Sequence, residues 1–299
     1  MYSELEAMLA PGALKYHQPM SRYTTFRIGG PVDALAEPAN TQELLRIIQW
    51  CGQNNIPFLV FGAASNLLVR DKGIRGVGIR LGENFRQYEV AGETIFAQSG
   101  ILLSELAGIA ARHGLTGLEF AEGIPGTLGG AIVMNAGAYD HEIKDILVEA
   151  HAVGVDGNLL TFKCSDLNMS YRHSVFQGNG LIVVSARLTL AQGSREVIEA
   201  KMQELARSRA SKQPLELPSA GSVFRRPAGH YVGPMLEKMG LKGYQIGGAQ
   251  VSLKHAGFIV NTGQATADDV IALIKEIQAR AQREYGVDLQ TEIRIIGEE

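Results

Sequence analysis

A few short segments of this chain carry the residue types and spacings that chemistry requires. Gly62-Ala-Ala-Ser-Asn66 follows an apolar run at 57–61. Its small residues leave backbone N–H groups uncovered, and Ser65 and Asn66 add side-chain donors, which makes a nest for phosphate oxygens. A plain tight turn is the competing reading. About sixty residues on, Gly123, Gly126, Gly129, Gly130 and Gly137 crowd around Thr127 and Asn135. That density argues against a packed helix or strand and for close backbone approach to a pyrophosphate. The spacing G-x-x-G-x-x-G-G is neither the G-x-G-x-x-G dinucleotide fingerprint nor an ATPase P-loop, although Glu142 stands roughly where a ribose-binding acid would. Two nests together suit a large diphosphate-containing cofactor better than either does alone.

Four further segments invite an acid, base or anion role. Arg172 lies in Ser170-Tyr-Arg-His-Ser174, where it either stabilises an anion or packs on Tyr171. Ser222 follows a glycine in the loop 218–227. No Gly-x-Ser-x-Gly elbow or Ser-x-x-Lys accompanies it, which argues against a triad hydrolase. Glu292 sits in the alternating run 290–296, as a solvated edge-strand charge or as an acid. Arg207, Arg209 and Lys212 gather at a helix C-terminus, where they complement the macrodipole or grip a diphosphate.

The elements that must position these groups can be read from periodicity. A strand at 32–37 leads to a helix opened by Asn40 with Glu43 and stopped at Gly52. Strands follow at 57–61 and 77–81, then a hairpin of 86–90 and 94–98 around residues 91–93, and a helix from 102 to 113. Strands near 146–155, 159–163 and 181–190 precede a long helix to about 210, with Val197, Met202 and Leu205 on its buried face. The remainder reads as helix 232–239, strands 246–252 and 257–261, then a helix boxed by Thr266 and Asp269 and stopped by Gly286, and a last strand. The pattern is α+β in three lobes, with the loop between Pro214 and Pro218 as a lobe boundary.

Composition narrows the classes. With 28 Lys+Arg against 31 Asp+Glu, the net charge of −3 excludes broad electrostatic capture of nucleic acid or acidic lipid. The absence of an apolar run of about 18 residues argues against a membrane span, and the start of the chain does not read as a signal peptide. Two cysteines, Cys51 and Cys164, without ligand spacing indicate reduced thiols, no metal site and a cytoplasmic setting.

Taken in order, the segments GAASNLLV, GLEFAEGIPGTLGGAIVMNAGAY, SYRHS, AGSVFRRP and TEIRIIG resemble the UDP-N-acetylenolpyruvoylglucosamine reductase family over nearly the whole chain. The resemblance begins at Thr24-Thr-Phe-Arg-Ile-Gly-Gly30 and reaches Glu292. It implies the FAD-binding fold of the p-cresol-methylhydroxylase type, in two lobes, plus an α+β substrate-binding domain. The expected division is 1–81, completed by 290–299, for the first FAD lobe, 82–208 for the second, and 209–289 for the substrate domain. By resemblance, Gly62, Ser65 and Asn66 contact the FAD pyrophosphate from one lobe, and Gly123, Gly130, Ala131, Asn135 and Gly137 from the other. NADPH is the implied co-substrate, needing no separate Rossmann domain, and no obligate protein partner is implied.

The implied substrate is UDP-N-acetylglucosamine enolpyruvate, an enol ether conjugated to a carboxylate. Hydride addition to its terminal carbon piles negative charge onto the carboxylate, so a cation and a neutral acid must meet it. The resemblance gives Arg172 and Glu292 those places, and Ser222 the proton delivery to the neighbouring carbon. A glutamic acid in this role must stay protonated near neutral pH, which burial can arrange. A serine is a poor acid unless a cation favours its alkoxide; Lys212 or Arg209 is the expected cation, also holding the diphosphate. Tyr171 and His255 are further expected substrate contacts, with a packed structural histidine as the alternative at 255. The chain looks like the shorter subtype, lacking a tyrosine-loop insertion after 176, and carries Arg226 where other members have a substrate-touching asparagine. Noncatalytic electron-transfer subunits share similar FAD folds and would need neither Ser222 nor Glu292.

Overall fold

The computed structural model describes residues 2–299. The chain packs as two compact units. One comprises residues up to Tyr16, Ala34–Ala63 and Gly76–Ser208; the other comprises His17–Asp33, Ala64–Arg75 and Arg209–Glu299.

In the first unit, helix Thr41–Gln53 starts where Asn40 accepts the Glu43 N–H at 3.0 Å. Glu43 returns its carboxylate to the Ala39 N–H, so the box closes one residue early. Gly52 does not stop this helix. Asn55, with φ 53, takes the left-handed position beyond the end, a conformation asparagine tolerates. Leu44, Ile47, Ile48 and Cys51 form the buried face, packed with Val77 and Ile79. Strand Phe58–Phe61 runs parallel to Ile74–Arg80, pairing Leu59 with Gly78.

The same unit holds a five-stranded antiparallel sheet in the order 159–163, 147–153, 182–189, 94–98, 88–91. The hairpin 88–98 closes on Gly92-Glu93, between paired Ala91 and Thr94. Helix Leu103–Arg112 adds Leu106, Ile109 and Ala110 to the core beneath. Two expectations fail here. The glycine-dense segment does form a helix, Leu128–Met134, containing Gly129 and Gly130, because Leu128, Ala131 and Ile132 bury one side of it. In helix Arg195–Lys212, Val197 is 68% exposed, and Ile198, one position on, faces inward with Leu205. One residue is 100° of helical rotation, enough to exchange the faces.

The second unit has a sheet in the order Ser219–Ser222, Phe258–Asn261, Ala249–Val251, Gln245–Ile246. Helix Ala267–Tyr285 covers it through Val270, Leu273, Ile274 and Ile277. Thr266 and Asp269 form the expected capping box and Gly286 the stop, at φ 65. Asp71 adds a second cap, accepting the N–H groups of Ala267 and Asp268 at 2.9 and 3.1 Å. Strands Leu67–Val69 and Arg294–Ile296 pair in parallel. Among the described residues no helix is long and apolar enough to cross a membrane, and no His/Cys/Asp/Glu group could hold a metal.

Candidate active site

The two glycine-rich segments meet inside the first unit. Strand Phe58–Phe61 ends at Gly62, where a Cβ would fall 2.2 Å from Thr127 Oγ1. Only a residue without a side chain lets these bends touch. The second bend is laced to residues 99–103: Gly129 N–H donates to the Ser99 carbonyl at 2.8 Å, and Leu128 N–H to that of Ile101 at 2.9 Å. Leu103 N–H donates back to the Gly126 carbonyl at 3.0 Å.

Most of the glycines are explained by the chain itself. Gly123 and Gly126 have φ 72 and 155, which other residues rarely adopt. A Cβ on Gly129 would lie 2.8 Å from Ser99 Cβ, and one on Gly137 2.4 Å from the His141 carbonyl. Gly130 differs. It is exposed, its φ is not positive, and its Cβ would meet only Thr127 Oγ1 at 3.7 Å. A glycine inside a helix costs about 1 kcal/mol relative to alanine, and nothing within the fold demands it here. The bare surface leaves room for a group outside the chain. Nearby, the Ser99 hydroxyl is buried with no hydrogen-bond partner among the described residues.

Ala131 is buried and spends its N–H on the Thr127 carbonyl. Asn135 is fully buried, with φ 42 at the end of helix Leu128–Met134. Its amide donates to Glu142 Oε2 and to the Ser170 carbonyl, both at 3.0 Å, and its Oδ1 accepts the Lys144 N–H. Glu142 also pairs with Lys144 at 2.7 Å, so its carboxylate is engaged within the protein.

Arg172 sits at the tip of a closed turn. Ser170 and His173 exchange two backbone hydrogen bonds of 3.1 and 3.0 Å, leaving Tyr171 and Arg172 between them. Arg172 has φ 54, the place in the turn where glycine is usual, at a cost of about 1–2 kcal/mol for a residue with a Cβ. The guanidinium is half-buried, 5.1 Å from the centroid of the exposed Tyr171 ring.

In the second unit hydrogen bonds link Asn66 to Glu292, and Glu292 to Val223, the residue after Ser222. Asn66 Nδ2 donates to the Glu292 carbonyl at 3.1 Å, and Arg294 N–H to the Asn66 carbonyl at 2.9 Å. On the other side, Glu292 N–H donates to the Val223 carbonyl at 2.7 Å. Ser222, the preceding residue, pairs with Phe258 just past a bulge in which Gly221 has φ 79. Bulges of this kind re-aim side chains beside functional sites. The Ser222 hydroxyl is half-buried and makes no hydrogen bond among the described residues. Thr25, from the run 24–30, donates to the Ser219 carbonyl at 2.8 Å and anchors the same strand.

Of the expected cations, Arg209 is 7% exposed and reaches Gln213 Oε1 at 3.3 Å, whereas Lys212 is exposed. His255 is packed: its Nδ1 accepts the Gly257 N–H at 3.1 Å, and its ring meets Phe258 edge-on at 5.0 Å. Burial holds its pKa below the usual histidine range, leaving a neutral ring. Arg226 covers the Tyr231 ring at 3.8 Å.

The FAD binding domain model matches residues 32–163, which defines the class: a flavin-binding α+β protein of the p-cresol-methylhydroxylase type. The model of the UDP-N-acetylenolpyruvoylglucosamine reductase C-terminal domain matches residues 213–296. The chain is 53% identical over 299 residues to the UDP-N-acetylenolpyruvoylglucosamine reductase of Syntrophomonas wolfei, covering 100% of each. It is 49% identical over 300 residues to that of Latilactobacillus sakei, covering 99% of each. A crystal structure of the Thermus caldophilus enzyme superposes with TM-score 0.82 at 36% identity, over 94% of this chain and 98% of that one. The chain therefore belongs to the UDP-N-acetylenolpyruvoylglucosamine reductase family.

The first unit fits a flavin nucleotide on its own evidence, the unclaimed surface at Gly130 and the orphaned Ser99 hydroxyl. Sequence reasoning missed Ser99, Ser174 and Gln177. Ser174 lay inside a recognised motif, but nothing in the spacing of the other two marks them.

Proposed function

We propose that the chain reduces UDP-N-acetylglucosamine enolpyruvate to UDP-N-acetylmuramate with NADPH as reductant, serving peptidoglycan synthesis and with it cell shape and division, in the cytoplasm. FAD, when bound, supplies the hydride. Residues 1–81 with 290–299 and residues 82–208 are assigned as the cofactor lobes, and 209–289 as the substrate domain. Gly62, Ser65, Asn66, Gly123, Gly130, Ala131, Asn135 and Gly137 line the cofactor.

Each remaining residue answers one demand of the substrate. Arg172 presents a planar fork to the carboxylate, a geometry that an ammonium cannot copy. The Glu292 carboxyl donates a hydrogen bond to the same group as charge builds there. Such a preorganised donor is worth about 3–4 kcal/mol of barrier. Ser222 Oγ delivers a proton to the carbon next to the reduced one. Arg209 and Lys212 hold the diphosphate, while Tyr171 and His255 border the sugar.

The observation that carries this reading is the Ser222 hydroxyl, without a hydrogen-bond partner among the described residues, placed past a bulge and one residue before Val223, whose carbonyl accepts the Glu292 N–H. Ser222→Ala tests it. Anaerobic bleaching of the flavin by NADPH should be unchanged, while reoxidation by the enolpyruvyl substrate slows by about a hundredfold or more. Equal loss in both half-reactions would remove Ser222 from proton delivery.

A further inference from the structure

The turn that presents Arg172 is held in its left-handed conformation by side chains outside its tip. Gln177 Nε2 donates to the Arg172 carbonyl and to the Val133 carbonyl, both at 2.9 Å. Ser174, fully buried, donates its hydroxyl to the same Val133 carbonyl at 2.8 Å. Asn135 holds the other side of the turn through the Ser170 carbonyl at 3.0 Å.

Val133 lies in the last turn of helix Leu128–Met134, where carbonyls have no partner further along the helix. Ser174 and Gln177 supply that partner. The carbonyls on both sides of the Tyr171-Arg172 tip are thus tied to the C-terminal end of the helix that carries Gly130. A strained backbone persists only where its surroundings over-determine it, and here three buried or half-buried side chains do so. A side-chain amide has two N–H groups, and Gln177 directs them to the Arg172 and Val133 carbonyls, so one side chain joins the turn to the helix end.

We infer that Gln177 is the positioning residue for Arg172: by bridging the Arg172 and Val133 carbonyls it fixes the turn from which the guanidinium meets the substrate carboxylate. The inference rests on the assignment of Arg172 above, and its test separates the two. Gln177→Met removes both donors without adding charge. Gln177→Glu replaces them with acceptors aimed at two carbonyl oxygens. Gln177→Lys keeps donors.

In Q177M and Q177E, flavin content and bleaching by NADPH should match the parent. Reoxidation by substrate should slow by about tenfold to a hundredfold, the scale of a misplaced contact. Calorimetry gives a readout free of turnover. UDP-N-acetylmuramate, which has the carboxylate, should bind about tenfold more weakly, while UDP-N-acetylglucosamine, which lacks it, binds as before. Q177K should recover most of both losses, and Q177M should add nothing further in an Arg172→Ala background.

Parent-like reoxidation and parent-like UDP-N-acetylmuramate binding in Q177M, with both lost in R172A, would overturn the positioning role alone. Parent-like behaviour in R172A as well would remove the role of Arg172 itself. Loss of bound flavin in Q177M would instead make Gln177 a support of the cofactor lobe and would also overturn the inference.

Discussion

Gly130→Ala should stabilise the flavin-free protein and weaken the flavin-bound one. A Cβ at this position meets only Thr127 Oγ1 at 3.7 Å, an ordinary contact, and the backbone is not in the left-handed region. The substitution therefore introduces no clash and no strain. It gains helix propensity and reduces the freedom of the unfolded chain, together about 0.5–1 kcal/mol. For a chain of this size that is a rise in Tm of about 1–3 °C. With FAD present the sign should reverse. The new methyl stands on the surface kept bare for the nucleotide, and a tenfold loss of affinity corresponds to about 1.4 kcal/mol. Urea unfolding of flavin-stripped protein, followed by circular dichroism, measures the first effect. Quenching of FAD fluorescence on titration measures the second. A destabilised flavin-free variant would mean that the fold itself needs Gly130, and unchanged FAD affinity would mean that the surface serves something else. Either result would refute the reasoning.

Two further outcomes concern stability and thiol chemistry. The Asp269 carboxyl is held below its ordinary pKa, first by the Thr266 N–H and also by the Gly248 N–H, with burial opposing them. Because the folded value lies below the unfolded one, its contribution is complete above the unfolded pKa of about 4 and is lost as pH falls through the folded value. Asp269→Asn should flatten that acid limb of stability in urea melts at stepped pH, while Thr266→Ala should cost about 1 kcal/mol at neutral pH. Burial pushes the Cys51 thiol up to about 11, so a disulfide reagent at neutral pH should leave it unmodified until the chain unfolds. Rapid native-state labelling of Cys51, located by peptide mass, would contradict its burial.

Much of the local structure was legible because it is set by neighbours in sequence. The box at Thr266 and Asp269, the stop at Gly286 and the hairpin around Gly92 are contacts within a few residues, and each forms as its residue types dictate. The misreadings are also local. Gly52 carries the usual stop residue, yet Asn55 turns the chain, because the helix end is fixed by what Cys51 and Ile56 pack and bond. The glycine-dense helix defeats propensity because burying Leu128, Ala131 and Ile132 outweighs the weak intrinsic preference against glycine.

The sequence by itself determined which residue types were present for chemistry: two bare bends, an arginine beside a tyrosine, a serine after a glycine, and a glutamate in a strand. What the tertiary structure alone decided is how each is held. Contact between Gly62 and Thr127, the tie of Arg172 to Val133 through Gln177, and the seat of Glu292 between Asn66 and Val223 all join residues far apart in the chain. No spacing rule encodes such pairs. They arise when buried backbone groups must find partners and the nearest donor belongs to a distant segment.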